Sequence, residues 1–390
     1  MDPVSHLRII MNGVAEEKPG SFREFSRFSV APWCAVVLLV LLPACAKAPG
    51  PMTDAGLDSL FAAYAEPGAP GAAVLIVNDT SVRIRTWGLA DLEANAPVTP
   101  RSDFRLASLT KEFTATAILV LAKEGQLSLD DPITDRLVGM RDHANGIQIK
   151  HLLTHTSGIW DYEDFVPDSM PPVHDADVPG LVARAESLYF APGSQYRYSN
   201  SGYALLALTV EKASGKRFAE FLQEKVFGPA GMTATVAFED GISSVPERAY
   251  GHSKRDGAWV RNDQSNTSAV LGDGGVYTNG TDLSHWIRTL LTAPLPGTEL
   301  QQRAWTPETL TNGTPGPYGM GWFVDTDRGL RRLSHHGETR GFTNGFLMYP
   351  DRKVAVIVLT NRIGGGPWDL AQRVADAELG LTGTPAKFGF

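Results

Sequence analysis

Strand-like patterns occur at both ends of this chain and are scarce in its middle. Residues 72–77 and 82–87 are apolar or alternating runs joined by a short polar turn, which is a hairpin pattern. Residues 333–336, 342–349 and 354–360 read as three successive strands. The last run is continuously apolar, which is typical of a central strand covered on both faces. We therefore predict one antiparallel sheet built from both ends of the chain.

Helical patterns fill the segment between these strands. Residues 136–282 contain helices and loops but few strand patterns, and the clearest helices span 203–213 and 218–226. A further helix begins at Pro367, a favourable first-turn residue, and follows the last strand. We predict an α/β (α+β) fold over residues 54–380, in which helices flank the sheet and an all-α lobe is inserted.

The first residues have a different composition, which indicates export. An apolar core at 35–42 follows two arginines, is too short to span a bilayer, and ends in Leu-Pro-Ala-Cys at Cys45. That ending resembles the lipobox of bacterial lipoproteins, so we expect a signal peptide over 1–45, lipidation of Cys45 and a tether over 46–53. The alternative is a cleaved secretory signal with an incidental cysteine. The expected location is the bacterial periplasm or cell envelope, with a lipid as the only membrane anchor.

Charge and cysteine content limit the remaining classes of function. The chain has a formal net charge of −8 and no basic run, which argues against nucleic-acid binding. Its two cysteines, Cys34 and Cys45, lie in or at the leader. The folded domain therefore has no disulfide, and residues 381–390 are expected to form a C-terminal tail.

A serine and a lysine lie one helical turn apart at the start of the most hydrophobic helix of the predicted domain. Residues 106–124 read as a buried helix that ends at Gly125, with Ser108 in its first turn and Lys111 three residues later. Burial and the helix N-terminus both lower the pKa of such a lysine. A neutral lysine beside a serine is a general base beside a nucleophile.

This S-x-x-K pattern is weak evidence when taken alone. A chain of this length contains about one or two such matches by chance. The alternative reading is a helix-capping serine followed by a surface lysine. The rest of a catalytic site has to decide between the two readings.

Two further short motifs supply that context. They are Tyr198-Ser199-Asn200, just before the 203–213 helix, and His335-His336-Gly337 at the end of a strand. In this order the three motifs resemble those of the serine β-lactamase and penicillin-binding protein superfamily. The tyrosine in the second motif is similar to the class C β-lactamase-like branch, with its esterases and D-amino-acid-directed peptidases. Flanking residues also resemble that branch, at 104–111, 127–132, 151–158, 198–203 and 274–277.

The resemblance implies a role for each motif residue and no cofactor. Ser108 would attack a carbonyl and form an acyl-enzyme, with Lys111 and Tyr198 as the proton-relay pair. Asn200 would hold Lys111 and the substrate amide. Backbone N–H groups of Ser108 and Glu338 would form the oxyanion hole.

The third motif departs from that of β-lactamases, which have lysine where this chain has His335. Histidine is mostly neutral near pH 7, whereas lysine is a cation suited to a substrate carboxylate. His335 and Gly337 are still expected at the substrate-binding site, but the departure favours esters, amides or small peptides over β-lactams. Arg340 offers a replacement charge, although a surface arginine is the simpler reading.

Several alternatives remain at this point. A β-lactamase or D,D-carboxypeptidase is the nearest, and a sensor that acylates without turnover is a candidate of another class. His151 and His155 have the i, i+4 spacing of metal ligands, but leucine stands where a zincin needs glutamate, so we predict no metal site. A second Y-x-N at Tyr277 follows a glycine pair and reads as a turn. The oligomeric state stays open.

Overall fold

Six antiparallel strands form the main sheet, and they come from the two ends of the chain as predicted. The computed structural model describes residues 50–387, apart from Thr80, Arg141 and the side chain of His143. In order across the sheet, the strands span Phe323–Asp327, Leu330–Thr339, Phe342–Tyr349, Val354–Thr360, Ala72–Asn78 and Ser81–Trp87. The predicted leader over 1–45 and Cys45 lie outside the described residues. Within the described part of the chain, no helix is long and apolar enough to cross a bilayer.

The strands of the described residues are β1 (Ala72–Asn78), β2 (Ser81–Trp87), β3 (Leu89–Asp91), β4 (Ala96–Pro97), β5 (Phe104–Arg105), β6 (Val236–Ala237), β7 (His252–Arg255), β8 (Ala258–Arg261), β9 (Val276–Thr278), β10 (Phe323–Asp327), β11 (Leu330–Thr339), β12 (Phe342–Tyr349) and β13 (Val354–Thr360). The α-helices are α1 (Asp54–Leu60), α2 (Lys111–Lys123), α3 (Ile149–Leu153), α4 (Val178–Val182), α5 (Asn200–Ser214), α6 (Phe218–Leu222), α7 (Gly228–Ala230), α8 (Leu271–Gly274), α9 (Gly280–Thr292), α10 (Thr298–Ala304) and α11 (Pro367–Leu379). A π-helical turn, Gln223–Phe227, continues α6.

The sheet is buried on both faces because its central strands alternate between two hydrophobic cores. On β13, Val356 and Val358 pack with α1 and α11, whereas Ile357 and Leu359 pack with the helical lobe. β13 lies between β12 and β1, and all of its residues are buried. The continuous apolar run that predicted a central strand is therefore confirmed, and with it the α/β fold class.

The inserted lobe differs from the prediction, because it is not all-α. Within 136–282 the structure has four short strands, β6 to β9. β7 and β8 form a hairpin whose turn residues, Asp256 and Gly257, have φ angles of 52° and 82°. Two positive φ angles at Asp-Gly are typical of a tight hairpin turn. The Asp-Gly pair in the sequence therefore indicated the hairpin turn, but the polar residues of the two strands do not form a recognisable strand pattern.

The sheet edge also holds a strand that hydrophobic patterning did not predict. β10 pairs only with β11, and two of its residues are aspartates that bind arginines. Asp325 receives bonds from the buried Arg332 at 2.8 and 2.6 Å, and Asp327 receives one from Arg328 at 2.8 Å. Phe323 packs in the hydrophobic core, but the paired aspartates interrupt the apolar pattern, so an apolar pattern search misses this strand.

The described part of the C-terminal tail is tied to this sheet edge. The Ala386 backbone N–H donates to Asp327 Oδ1 at 2.8 Å, and the Ala386 carbonyl accepts from Arg332 Nη2 at 3.3 Å. Both partner side chains are fully buried. The tail therefore contributes hydrogen bonds to two buried charges.

We expect truncation after Gly380 to lower the free energy of unfolding by about 1–2 kcal/mol, because bonds to buried charged groups are among the stronger ones. Urea denaturation of the domain measures this loss. Truncation after Lys387 keeps both Ala386 bonds and serves as the control. Equal stability of the two truncated chains would show that the Ala386 contacts carry no stabilisation.

Candidate active site

Ser108 lies in a tight turn between a short strand and a helix. The predicted helix over 106–124 is divided: a 3-10 turn, Ala107–Thr110, precedes α2, and Gly125 ends it with a φ of 72°. Ala107 has a φ of 51°, a left-handed value that residues with a Cβ rarely adopt. Such strain persists only where surrounding contacts fix it. The backbone just before Ser108 is thus held in a defined, strained geometry.

The sheet supplies the contacts that fix this turn. Asn344 on β12 donates through Nδ2 to the carbonyls of Arg105 at 2.9 Å and Leu106 at 3.2 Å, and its Oδ1 accepts from Thr360 N at 3.1 Å. The Leu106 N–H donates to the Val276 carbonyl at 2.9 Å. Sequence reasoning missed Asn344, although a polar residue inside an apolar strand was its signal.

Gly337 brings strand β11 against the same turn. A Cβ at Gly337 would lie 2.2 Å from the Leu106 carbonyl oxygen, closer than any real carbon contact. The close approach places Glu338 and Ser108 on the wall of one small pocket. The third predicted motif therefore lies next to the nucleophile because Gly337 has no Cβ to prevent the close approach.

We expect Gly337→Ala to slow acylation of Ser108 about 100-fold, because displacing β11 by an ångström misplaces the groups around the reacting carbonyl. The burst phase with a p-nitrophenyl ester measures the acylation rate. Gly180→Ala is the matched control, since a Cβ there meets no atom within 4 Å. An unchanged burst rate in Gly337→Ala would contradict this account of the close approach.

Lys111 is fully buried and directs its ammonium at three oxygens. Nζ donates to Ser108 Oγ at 3.0 Å, to Asn200 Oδ1 at 2.9 Å and to the Asp273 carbonyl at 2.9 Å. Burial lowers the pKa of Lys111, while the charges of Asp273, Asp161 and Glu163 oppose that shift. The predicted serine–lysine pair and Asn200 are thus joined by direct hydrogen bonds.

Tyr198 closes the other side of this pair. The Lys111 Nζ lies 5.0 Å from the centre of the Tyr198 ring. Burial raises the pKa of Tyr198, and interaction with the Ser108 hydroxyl lowers it. Among the described residues, the Tyr198 hydroxyl has no close hydrogen-bond partner. Tyr198 is therefore protonated beside the nucleophile, and its hydroxyl interacts with that of Ser108.

His335 lies behind the site and not on the pocket wall. Its Nδ1 is 2.7 Å from the His336 carbonyl, which can only accept, so Nε2 accepts from the Tyr318 hydroxyl at 2.9 Å. Burial, together with the charges of His336 and Lys111, holds the pKa of His335 well below its usual range. Both ring nitrogens of a neutral His335 are therefore engaged by protein groups. Arg340, the alternative cation, is exposed in the β11–β12 turn.

The pocket beside Ser108 has acidic walls that sequence reasoning did not find. Its lining residues are Arg105, Ala107, Ser108, Tyr162, Glu163, Asn200, Thr267, Asp273, Gly274, Glu338 and Thr339. Burial and the neighbouring charges of Asp161 and Asp273 raise the pKa of Glu163 to about 7. Asp161 caps a 3-10 turn that contains Glu163, and Asp273 belongs to α8, all in the inserted lobe, so no local pattern linked them to the three motifs.

The pair His151 and His155 does not have the geometry that its spacing suggested. α3 ends at Leu153, and His155 has a φ of 56°, so the two rings do not share a helix face. His155 Nδ1 accepts from the Ser199 N–H at 3.2 Å and thereby holds the segment that carries Tyr198. Within 50–387, apart from Thr80, Arg141 and the side chain of His143, no group of three acidic, histidine or cysteine side chains is arranged to hold a metal.

Comparison with known proteins agrees with this arrangement. The family model described as Beta-lactamase matches residues 57–380. This chain belongs to the beta-lactamase family. With it, the resemblance to the serine β-lactamase and penicillin-binding protein superfamily is confirmed.

Individual relatives of this beta-lactamase family member are named for penicillin binding or for D-aminopeptidase activity. Penicillin-binding protein 4* of Bacillus subtilis is 31% identical over 326 residues, covering 75% of this chain and 71% of that protein. A D-aminopeptidase of Brucella canis is 28% identical and covers 82% of this chain, which spans 61% of the D-aminopeptidase. The relatives support a hydrolase of the serine superfamily.

Solved structures give the same fold for this beta-lactamase family member. An octameric penicillin-binding protein homologue from Pyrococcus abyssi has a TM-score of 0.73 at 26% identity, covering 84% of this chain and 78% of that one. A penicillin-binding protein from Bacillus halodurans has a TM-score of 0.70 at 27% identity, covering 84% of this chain and 99% of that one. The sheet with an inserted lobe is thus the superfamily architecture.

Proposed function

We propose that this chain is an exported, class C β-lactamase-like serine hydrolase that forms an acyl-enzyme at Ser108 on an ester, an amide or a small peptide. The observation that carries the proposal is the 3.0 Å hydrogen bond between Lys111 Nζ and Ser108 Oγ. It joins a buried lysine, whose pKa burial lowers, to a hydroxyl in a strained turn. A neutral amine at that distance is a general base for the serine.

Acylation follows from this geometry as three proton transfers around the formation and collapse of one tetrahedral intermediate. Neutral Lys111 takes the Ser108 proton while Oγ attacks the substrate carbonyl carbon. Backbone N–H groups of Ser108 and Glu338 stabilise the resulting oxyanion. When the tetrahedral intermediate collapses, the Tyr198 hydroxyl donates its proton to the leaving group and is reprotonated by Lys111, which ends neutral again.

Deacylation reverses the roles of the same groups. Water attacks the acyl carbon, and its proton passes to Lys111 through the Tyr198 hydroxyl. Collapse of the second intermediate returns a proton to Ser108 Oγ and releases the acid. Asn200 Oδ1 accepts from Lys111 at 2.9 Å and keeps the amine directed at Ser108 throughout the cycle.

The state of His335 indicates which class of substrate the site favours, because this histidine is neutral and both of its ring nitrogens are bound to protein groups. A substrate carboxylate is best held by a permanent cation, and a buried neutral imidazole provides none. This favours simple esters, amides and small peptides. Hydrolysis of β-lactams or of cell-wall D,D-peptides is the nearest alternative, since a penicillin-binding protein is among the relatives.

Substrate turnover by the purified domain tests the proposal. p-Nitrophenyl esters, nitrocefin, D-amino-acid anilides and D-alanyl peptides are compared with wild type and Ser108→Ala. Ester or amide turnover that depends on Ser108 supports the proposal, whereas nitrocefin or D-alanyl peptide as the preferred substrate supports the alternative. A stable covalent adduct without turnover identifies a sensor. The absence of any labelling of Ser108 would contradict the acyl-enzyme mechanism.

Export and lipidation form a separate part of the proposal. The leader ends at Cys45 in a sequence that resembles a lipobox, which supports attachment of a lipid there. Metabolic labelling of the full chain with a radioactive fatty acid in a bacterial host is expected to mark wild type and not Cys45→Ser. Equal labelling of both chains, or none of wild type, contradicts this part.

A further inference from the structure

Asp273 lies beside Lys111, and none of the three motifs includes it. It belongs to α8, a single turn whose Asp273 carbonyl accepts from Lys111 Nζ at 2.9 Å. Its carboxylate is buried, and Oδ2 accepts from the Tyr162 hydroxyl at 3.0 Å. One residue thus gives the lysine a backbone acceptor and a neighbouring carboxyl group.

Contacts from three other elements hold α8 in this position. Asp175 accepts from the backbone N–H groups of Leu271 at 2.7 Å and Gly272 at 3.0 Å. Thr114 on α2 donates to the Gly272 carbonyl at 2.7 Å. Arg105 Nε donates to the Gly274 carbonyl at 3.2 Å. The Asp273 carboxyl therefore has a fixed place relative to α2, which carries Lys111.

Lys111 is the positively charged group that influences the pKa of Asp273, whereas the neighbouring carboxylates act in the opposite direction. Burial raises the pKa of Asp273, Lys111 lowers it, and Asp175 and Asp161 raise it further. In return, Asp273 is the largest electrostatic influence that raises the pKa of Lys111, ahead of Asp161 and Glu163. Each of the two buried groups therefore favours the charged form of the other, across a contact that the Asp273 carbonyl makes with Lys111 Nζ.

We propose that Asp273, held by Tyr162, is a positioning residue that decides at which pH the Lys111 amine becomes free to take the Ser108 proton. The inference rests on the proposed acyl-enzyme function, in which Lys111 is the base. Neighbouring opposite charges in a buried site favour the charged forms of both partners. A carboxylate in this place keeps Lys111 protonated to a higher pH than burial alone would.

The direction in which each variant should shift the pKa of Lys111 follows from the pairing of Asp273 with Lys111. Asp273→Asn removes the negative charge and keeps an acceptor for Tyr162, so the Lys111 ammonium is less stabilised and its pKa falls. The shift expected for one buried partner is about 1 pH unit. Tyr162→Phe removes the hydroxyl that favours the carboxylate, so it lowers the pKa of Lys111 in the same direction by a smaller amount.

A measurement without turnover separates this inference from the proposed function. In a Ser108→Ala background, an NMR titration of isotope-labelled Lys111 reports its ionisation directly. The midpoint is expected to move down by about 1 pH unit with Asp273→Asn and by less with Tyr162→Phe. Asp351→Asn, which removes an exposed carboxylate that pairs with Arg331, is the matched control and leaves the midpoint unchanged.

The chain with Ser108 intact gives the second measurement. The value of kcat/KM for a p-nitrophenyl ester rises with pH as Lys111 loses its proton, and Asp273→Asn should move the midpoint of that rise to lower pH. An unchanged or higher Lys111 midpoint in both folded variants overturns the inference. If the NMR midpoint shifts but Ser108 does not acylate in wild type, the inference on Lys111 stands and the proposed function fails.

Discussion

Ser108→Ala is expected to reduce ester or amide turnover by about 10⁴-fold or more, the largest effect of any single change in this chain. Loss of a serine nucleophile typically costs this much, because the remaining groups have no attacking atom to activate. The burst of p-nitrophenol should disappear together with steady-state turnover. Mass spectrometry after treatment with a fluorophosphonate should show one adduct per chain in wild type and none in the variant.

The variant should remain folded, since Lys111 keeps Asn200 and the Asp273 carbonyl as acceptors. Ser194→Ala is a suitable control, because among the described residues the Ser194 hydroxyl bonds only the Ala191 carbonyl of its own turn. Its turnover should stay within about twofold of wild type, as for most surface substitutions. A fluorophosphonate adduct in Ser108→Ala, or full turnover by it, would show that the nucleophile lies elsewhere.

Tyr198→Phe should lower both acylation and deacylation by about 10²–10⁴-fold, the usual contribution of a positioned proton donor. The change removes one hydroxyl and keeps the ring, which packs against His155 with ring centres 4.2 Å apart. Apart from its interaction with the Ser108 hydroxyl, the Tyr198 hydroxyl has no close partner among the described residues, so its removal leaves no other protein group unsatisfied. The free energy of unfolding should therefore change by less than about 1 kcal/mol.

Tyr196→Phe provides the control for this second prediction. Tyr196 is a neighbouring tyrosine whose ring also contacts His155, at 6.2 Å between centres. Its turnover should match wild type within about threefold, as expected for a group outside the reaction. Stopped-flow burst kinetics separate the acylation and deacylation rates. If both tyrosine variants lose activity equally, packing around His155 and not proton transfer accounts for the effect.

Much of the fold is decided by patterns that act over short distances in the chain. The continuous apolar run of β13 allows only a strand covered on both faces, and the structure covers it with two cores. α11 begins at Pro367 and ends at Leu379, where a first-turn proline and a following glycine predict its ends. The sequence analysis missed β10 because paired aspartates interrupt its apolar pattern. It missed the β7–β8 hairpin because that hairpin is marked by its turn and not by an apolar pattern.

The features of the candidate site also fall into two groups: those that the sequence predicts and those that only the tertiary structure reveals. The sequence by itself determined the motif residues Ser108, Lys111, Tyr198 and Asn200, because spacing along a helix and resemblance to a family are properties of the chain. Only the tertiary structure decided that the Asp273 carboxyl lies beside Lys111 and that His335 is turned away and neutral. Burial and electrostatic pairing depend on which distant segments pack together, and those two effects set the protonation states on which the chemistry depends.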